Sequence, residues 1–510
     1  MKERFEMVAK TFQGLEDVLA EELKGLGAEN VEIGRRMVSF EGDKEMLYKA
    51  NLCCRTALRI LKPVYKFIAG DTDSLYEMVK EFDWTQVLSL DKTFSIDSVV
   101  NSEDFSHSRF VTYRVKDAIV DFFKDKYGPE KRPGVRLKDA DVMINVHIAN
   151  DRVTLSLDSS GESLYKRGYR VAQTDAPINE VLAAGIILKS GWKGDCPLVD
   201  PMCGSGTFLV EAALIAANIN PGVYRKAFAF EQWPDFDEEL FDRLYNDDSG
   251  ERVFEHKIYG ADISPKAVAI AERNIKQAGV AKYIDLQIKS ISQWEEAPEN
   301  CFVITNPPYG ERISADDMEG LYETIGTKLK HVFKSHTWII GYRDEYFKKI
   351  GLAPSSKTPI LNGALECELR EYVIFDGDYK TFRSEGGSIK NEKKEAPRDR
   401  KSKRVSDSQW KADARRKGMG GKESRGEKKG PRNPLEAKYQ AKPKGRERKE
   451  AKAETEFENP LAARRNENAL KSILGRTPSL PKSDGPFMRT RRGWRRPNTN
   501  NEETDNNENK

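Results

Sequence analysis

No run in this 510-residue chain approaches the roughly 18 consecutive apolar residues a membrane-spanning helix needs. With 33% charged against 38% hydrophobic residues, the sequence reads as that of a soluble protein without membrane segments. Cysteine is sparse. The six present (Cys53, Cys54, Cys196, Cys203, Cys301, Cys367) include no C-x-x-C pair, so neither a disulfide framework nor a zinc site is expected. His331 and His336, five residues apart, are not spaced to share a metal, and no metal is expected. The N-terminus, Met1-Lys2-Glu3-Arg4-Phe5-Glu6, lacks an apolar leader core and a small-residue cleavage site, which predicts a cytoplasmic protein.

A large net charge is missing too: 85 Lys and Arg nearly balance 82 Asp and Glu, leaving +3. That balance conceals an asymmetry. Residues 377–510 hold 37 basic and 21 acidic side chains, a net of +16, against 48 and 61, or −13, in residues 1–376. The tail has too few apolar residues to offset the entropy of ordering it, so it is expected to be disordered, and its Lys and Arg clusters suit a polyanion such as RNA. A length of 510 residues suggests about three domains. Periodicity divides the rest into a βαββα α+β domain over 1–65, a second α+β region over 66–160, and an alternating strand–helix domain over 161–376 with a largely parallel sheet.

Two motifs in the third domain carry chemistry. The short strand Pro197–Asp200 runs into Pro201-Met202-Cys203-Gly204-Ser205-Gly206-Thr207 and then an apolar helix. Glycines at 204 and 206 allow a ligand close to the backbone. No lysine follows to neutralise phosphates, and Leu209 stands where a dinucleotide fingerprint has its third glycine, so both phosphate readings weaken. Asp200 at the strand end suits a cationic ligand, which points to S-adenosylmethionine. The next strand ends at Asp262, a candidate for a ribose; the plainer alternative makes Asp262 only part of a helix N-cap ahead of Ser264 and Pro265.

The second motif is Asn306-Pro307-Pro308-Tyr309, after the strand 301–305. The prolines stiffen the turn and donate no hydrogen bonds, so its carbonyls are left as acceptors. With the Asn306 side-chain oxygen they match the two hydrogens of an exocyclic amine, while Tyr309 offers a face for a planar base. Such hydrogen bonds counter delocalisation of the amine lone pair, and orientation toward a sulfonium methyl does the rest.

These residues, with Tyr165-Lys166-Arg167-Gly168-Tyr169-Arg170 and Ala176-Pro177, resemble the THUMP-domain class I N2-guanine RNA methyltransferases, in particular the N-terminal half of the bacterial 23S rRNA methyltransferases of the L type. The resemblance covers about residues 3–376. It implies a class I, Rossmann-like S-adenosylmethionine methyltransferase domain, preceded by α+β ferredoxin-like and THUMP domains and followed by the basic tail. It further implies that Thr174, Asp175, Ala176, Pro177, Asp200, Gly204, Gly206, Thr207, Asp262 and Ser290 hold the cofactor, that Asn306, Pro307, Pro308 and Tyr309 hold the guanine, and that large-subunit rRNA is the partner. Ser290 stands where the family often has an acidic residue for the adenine amine. The bifunctional members carry a second catalytic half, and here the tail takes that place, so one modification is expected. Methylation of another structured RNA such as tRNA, an adenine-N6 DNA methylase, a protein-glutamine methylase and a non-catalytic RNA-binding assembly factor are the competing readings.

Overall fold

A computed structural model describes residues 3–105, 107–174, 176–310, 315–374, 488–490 and 493–495. The first elements are β1 (Phe5–Lys10), α1 (Glu16–Gly25), β2 (Glu29–Gly34), β3 (Met37–Gly42), α2 (Lys44–Cys53) and β4 (Arg59–Ile68). Leu19, Ala20 and Leu23 recur at helical spacing and form the buried face of α1. Asp43 starts α2 by accepting the Met46 N–H. There follow α3 (Thr72–Glu81), β5 (Thr93–Asn101), α4 (Ser108–Tyr127), β6 (Gly134–Val135), β7 (Val142–Ala149) and β8 (Arg152–Asp158).

All eight strands form one sheet, in the order β2-β3-β1-β4-β8-β7-β5-β6. β4, which the sequence pattern does not reveal, joins the two halves, pairing antiparallel with β1 on one side and β8 on the other. Pro63 argues against a central strand there; the β4–β8 register shifts between Pro63 and Tyr65, and this irregularity absorbs the missing donor. The expected division at residue 65 therefore falls inside a strand.

The third region contributes α5 (Glu180–Lys189), β9 (Leu198–Asp200), α6 (Thr207–Ala216), α7 (Glu238–Tyr245), β10 (Ile258–Asp262), α8 (Pro265–Gln277), β11 (Ile284–Ile288), β12 (Phe302–Thr305), α9 (Ala315–Lys328), β13 (His336–Gly341), α10 (Asp344–Lys349), β14 (Ser356–Asn362) and β15 (Leu365–Val373). Its seven-stranded sheet has the order β11-β10-β9-β12-β13-β15-β14, and β15 alone runs against its neighbours. The expected α/β class holds, and the sheet ends in a β14–β15 hairpin. Every residue of α6 is buried, as its apolar sequence demands.

The long spacer between α6 and β10 packs against the N-terminal region: Tyr48 of α2 stacks on Phe230 at 4.4 Å and meets Phe241 edge-on at 5.6 Å. Trp233, 7% exposed, belongs to the same core. All six cysteines are free, and Cys54, Cys203, Cys301 and Cys367 are buried. Among the described residues no helix is long and apolar enough to cross a membrane. Of residues 377–510, two short strands, β16 (Met488–Thr490) and β17 (Gly493–Arg495), are described; the rest of the expected disordered tail lies outside the described residues.

Candidate active site

β9 lies between β10 and β12 in the parallel sheet, Val199 opposite Tyr259 on one side and Val303 on the other. The chain leaves all three strands at the same sheet edge, where successive connections turn to opposite sides, the usual place for a ligand in such a sheet. The glycine turn after β9 and the Asn306 loop after β12 are thus neighbours.

The two glycines of the turn serve different ends. Gly204 has φ +52°, and a Cβ there would find only Thr174 Oγ1, 3.9 Å away, so the space above it is open and bordered by Thr174. Gly206, at φ +78°, opens α6; its Cβ would lie 3.0 Å from Ala271 Cβ, so this glycine is needed for α6 to approach α8. The Cys203 N–H donates to Ala261 O at 2.8 Å. Asp262 braces the turn as well: one carboxylate oxygen accepts from the Gly204 N–H and the other from the Ser264 N–H, each at 2.9 Å.

Asp200 is placed differently from the sequence expectation. It is 1% exposed, and one carboxylate oxygen accepts from Thr305 Oγ1 at 2.8 Å and from the Met202 N–H at 3.2 Å. It therefore ties the glycine turn to the residue immediately before Asn306. Burial, reinforced by the charge of Asp262, pushes its pKa up to about 7 in spite of these hydrogen bonds. Thr207 is likewise turned inward, 3% exposed, with its hydroxyl accepting from Arg170 Nη2 at 2.9 Å.

Thr174 is half-buried, Ala176 exposed and Pro177 half-buried; Asp175 lies outside the described residues. Asn274 holds this segment in place, a residue the sequence pattern does not single out. Buried on α8, it accepts from the Val171 N–H at 3.0 Å and donates to Ala172 O at 2.9 Å and Ser205 O at 3.0 Å. The signal was a polar residue on a helix face otherwise built from Ala267, Ala271 and Ile275. Ser290 follows β11 beside Asp262, its N–H donating to Gln293 Oε1 at 2.8 Å; Ile263, 73% exposed, adds an apolar surface next to Asp262.

At the second loop, Asn306 Oδ1 is buried and has no hydrogen-bond partner among the described residues. Unpaired buried acceptors are uncommon and costly, and here the missing partner is a donor. Pro307 is buried and Pro308 exposed. The Tyr309 hydroxyl accepts from Asn362 Nδ2 at 3.0 Å, and burial raises its pKa far above the usual phenol range. The Tyr309 ring lies 6.4 Å from that of Tyr342, a 42% exposed aromatic after β13 that sequence reasoning missed. Glu311 and Arg312 lie outside the described residues.

The open space over Gly204, with Thr174 at its border and Asp262 bonded to the Gly204 N–H, fits a nucleoside-bearing methyl donor: it offers hydroxyl acceptors, and among the described residues no cation is bonded to this turn as a phosphate clamp. The unpaired Asn306 oxygen fits an amine donor on the substrate.

Three family models match the chain: an RlmL ferredoxin-like domain over residues 6–61, a THUMP domain over 69–158 and an RMKL-like methyltransferase domain over 167–371. A Synechocystis protein with the provisional name RNA methyltransferase is 38% identical over 371 residues, 72% of this chain and 96% of that protein. The ribosomal RNA large subunit methyltransferase K/L of Syntrophotalea carbinolica is 36% identical over 377 residues, 71% of this chain but 52% of that protein. The chain thus spans about half the length of the K/L relatives it matches. A crystal structure of a provisionally named methyltransferase, complexed with SAH, superposes with a TM-score of 0.67 at 32% identity, over 74% of this chain and 100% of that one.

Proposed function

The chain belongs to the methyltransferase family that combines an RlmL-type ferredoxin-like domain, a THUMP domain and an RMKL-like catalytic domain, and on that premise we propose that it methylates the exocyclic N2 of a guanine in large-subunit rRNA, in the cytoplasm. The methyl donor is S-adenosylmethionine, which when bound supplies an electrophilic methyl group. The observation that carries the reading is the buried, unpaired Asn306 Oδ1 on the loop that follows β12, the strand beside β9 and its glycine turn.

Thr174, Asp262 and the open face of Gly204 hold the donor, with Ile263 and Ser290 toward its base. Asn306 Oδ1 and the Pro307 carbonyl accept the two N–H groups of the guanine amine, which holds the nitrogen lone pair free of the ring. Tyr309 supplies a stacking face. Asp200 and Thr305 fix the distance between the two loops through their hydrogen bond. Orientation of this kind is worth up to about 7–11 kcal/mol and requires no covalent intermediate. A THUMP domain ahead of the catalytic domain favours structured RNA over DNA or protein, and the naming of the K/L relatives favours ribosomal RNA. The sequence carries one N-P-P-Y motif, so a single modification is proposed.

The test is to incubate the purified protein with labelled donor and large-subunit rRNA, then digest to nucleosides. Label in N2-methylguanosine supports the reading. Label in N6-methyladenosine, or no uptake into RNA, refutes it.

A further inference from the structure

Beside the donor seat lies a second concavity, a cleft of about 820 Å³ walled by the segment after β8, the start of α5 and residues 224–227. Close approach of these walls depends on Gly168, at φ +109°, where a Cβ would lie 2.2 Å from the Tyr224 carbonyl oxygen. Five cations line the cleft, Lys166, Arg167, Arg170, Arg225 and Lys226, against two lining carboxylates, Glu162 and Glu180, and the buried Glu211 behind the wall, which pairs with Arg167 at 3.5 Å; two positive charges remain in excess.

The cations divide by role. Arg167 and Arg225 are buried and act as struts: Arg225 donates to the carbonyls of Ser160, Glu162, Ser163 and Lys166, and Arg167 to those of Arg55 and Leu164. Burial lowers Arg225 to about 10, so it remains charged at neutral pH, and no carboxylate is among its hydrogen-bond partners. Arg170 donates through Nε to Glu180 at 2.7 Å and through Nη2 to Ile178 O and Thr207 Oγ1, each at 2.9 Å. Three guanidinium nitrogens of these arginines, Arg167 Nε, Arg170 Nη1 and Arg225 Nε, are buried without a hydrogen-bond partner among the described residues, although Arg167 Nε has the Glu211 carboxylate 3.5 Å away. Lys166 meets only Glu162, in a solvent-exposed pair, and Lys226 is exposed with no ion-pair partner among the described residues. A wall with surplus positive charge and unspent donors calls for an anion.

The segment that lines the cleft at Gln173 and Pro177 also carries Thr174, the residue facing Gly204. One short stretch of chain thus separates the cleft from the donor seat. We propose that the cleft binds the sugar–phosphate backbone of the RNA substrate, with Lys166, Lys226 and Arg170 Nη1 taking phosphate oxygens of nucleotides flanking the target guanine. This rests on the RNA-methylation reading above. The cleft contributes affinity and register, while base identity is read at Asn306 and Tyr309.

The test uses the full chain and the double variants Lys166→Ala/Lys226→Ala and Lys166→Glu/Lys226→Glu; both lysines are exposed, and Arg170 is left intact because it braces Glu180 and Thr207. Affinity for transcribed large-subunit rRNA is measured against salt, and affinity for S-adenosylhomocysteine by calorimetry. Two lost phosphate contacts, at about 0.7 each for single strands, should make the slope of log K against log salt shallower by about 1.4. The alanine pair should weaken RNA binding about tenfold and the charge reversal further, with S-adenosylhomocysteine affinity within twofold of wild type. An unchanged RNA affinity and slope in the charge-reversed variant overturns the proposal. Loss of guanosine 5′-monophosphate binding with RNA binding intact also overturns it and assigns the cleft to a free nucleotide. If the slope falls as expected but wild type never methylates the transcript, the cleft stands and the guanine-methylation reading fails.

Discussion

Replacing Asn306 by alanine separates function from stability. In most buried positions the loss of an asparagine breaks hydrogen bonds and lowers stability; here the Asn306 oxygen has none to lose. An unpaired buried acceptor costs about 1–3 kcal/mol, and truncating it relieves that cost while giving up some packing of a half-buried side chain. The two effects oppose each other, so the melting temperature of Asn306→Ala should lie within about 2 °C of wild type or above it. Methyl transfer should fall about 100- to 1000-fold, because the hydrogen bond to the reacting amine is made only with substrate present; loss of one such polar contact in other enzymes costs about 2.7–4 kcal/mol. RNA affinity, which rests on surfaces elsewhere, should change less than threefold. Asn306→Asp restores an oxygen acceptor and should recover at least tenfold of the lost rate. The assays are thermal unfolding, single-turnover transfer of labelled methyl and filter binding. A large drop in melting temperature with transfer largely preserved would show that Asn306 is a structural cap and that the amine-binding assignment is wrong.

The two glycines of the first turn should respond differently. Gly204→Ala places a methyl group into open space at φ +52°, so it should cost about 1–2 kcal/mol of stability but weaken S-adenosylhomocysteine binding at least tenfold by calorimetry. Gly206→Ala adds crowding against Ala271 to the same backbone strain and should cost about 2–4 kcal/mol in denaturant unfolding; equal effects of the two on donor binding would contradict the division of roles. Asp200 has a folded pKa of about 7 against an ordinary carboxylate value near 3.9, so the native state binds its proton more tightly and stability is lost as pH rises from about 4 through 7. Asp200→Asn, which can still accept from Thr305 and Met202, should remove that slope and gain on the order of 1–3 kcal/mol relative to wild type between pH 5 and 7.5; parallel curves for the two proteins would refute it. A chain ending at residue 380 should bind rRNA more weakly and with a flatter salt dependence, since the removed region holds a net charge near +16; an unchanged slope would make the tail a passive linker.

What the sequence conveyed and what it withheld follow from the range of the forces involved. The βαββα order of the first domain, the helices α6 and α8, the strands β9, β10 and β12, and both loops of the site were legible because periodicity, glycine and proline act within a few residues of themselves. β4 was not, because Pro63 is tolerated only through a register shift against β8, a strand about ninety residues distant. Asp200 was visible as a carboxylate at a strand end, but its direction is set by Thr305, more than a hundred residues away, so its part in joining the two loops could not be read from the sequence. The same holds for Asn274, whose polar side chain on an apolar helix face makes sense only once residues 171–172 and Ser205 are beside it. The cluster Lys166-Arg167-Gly168-Tyr169-Arg170 shows the limit most clearly. Five adjacent letters give one basic patch, yet folding buries Arg167 as a strut, spends Arg170 mostly on Glu180 and Thr207, and leaves Lys166 in the open. Charge in a sequence is a sum; which charges remain available to a ligand is decided by the carbonyls and carboxylates that the fold brings to each of them.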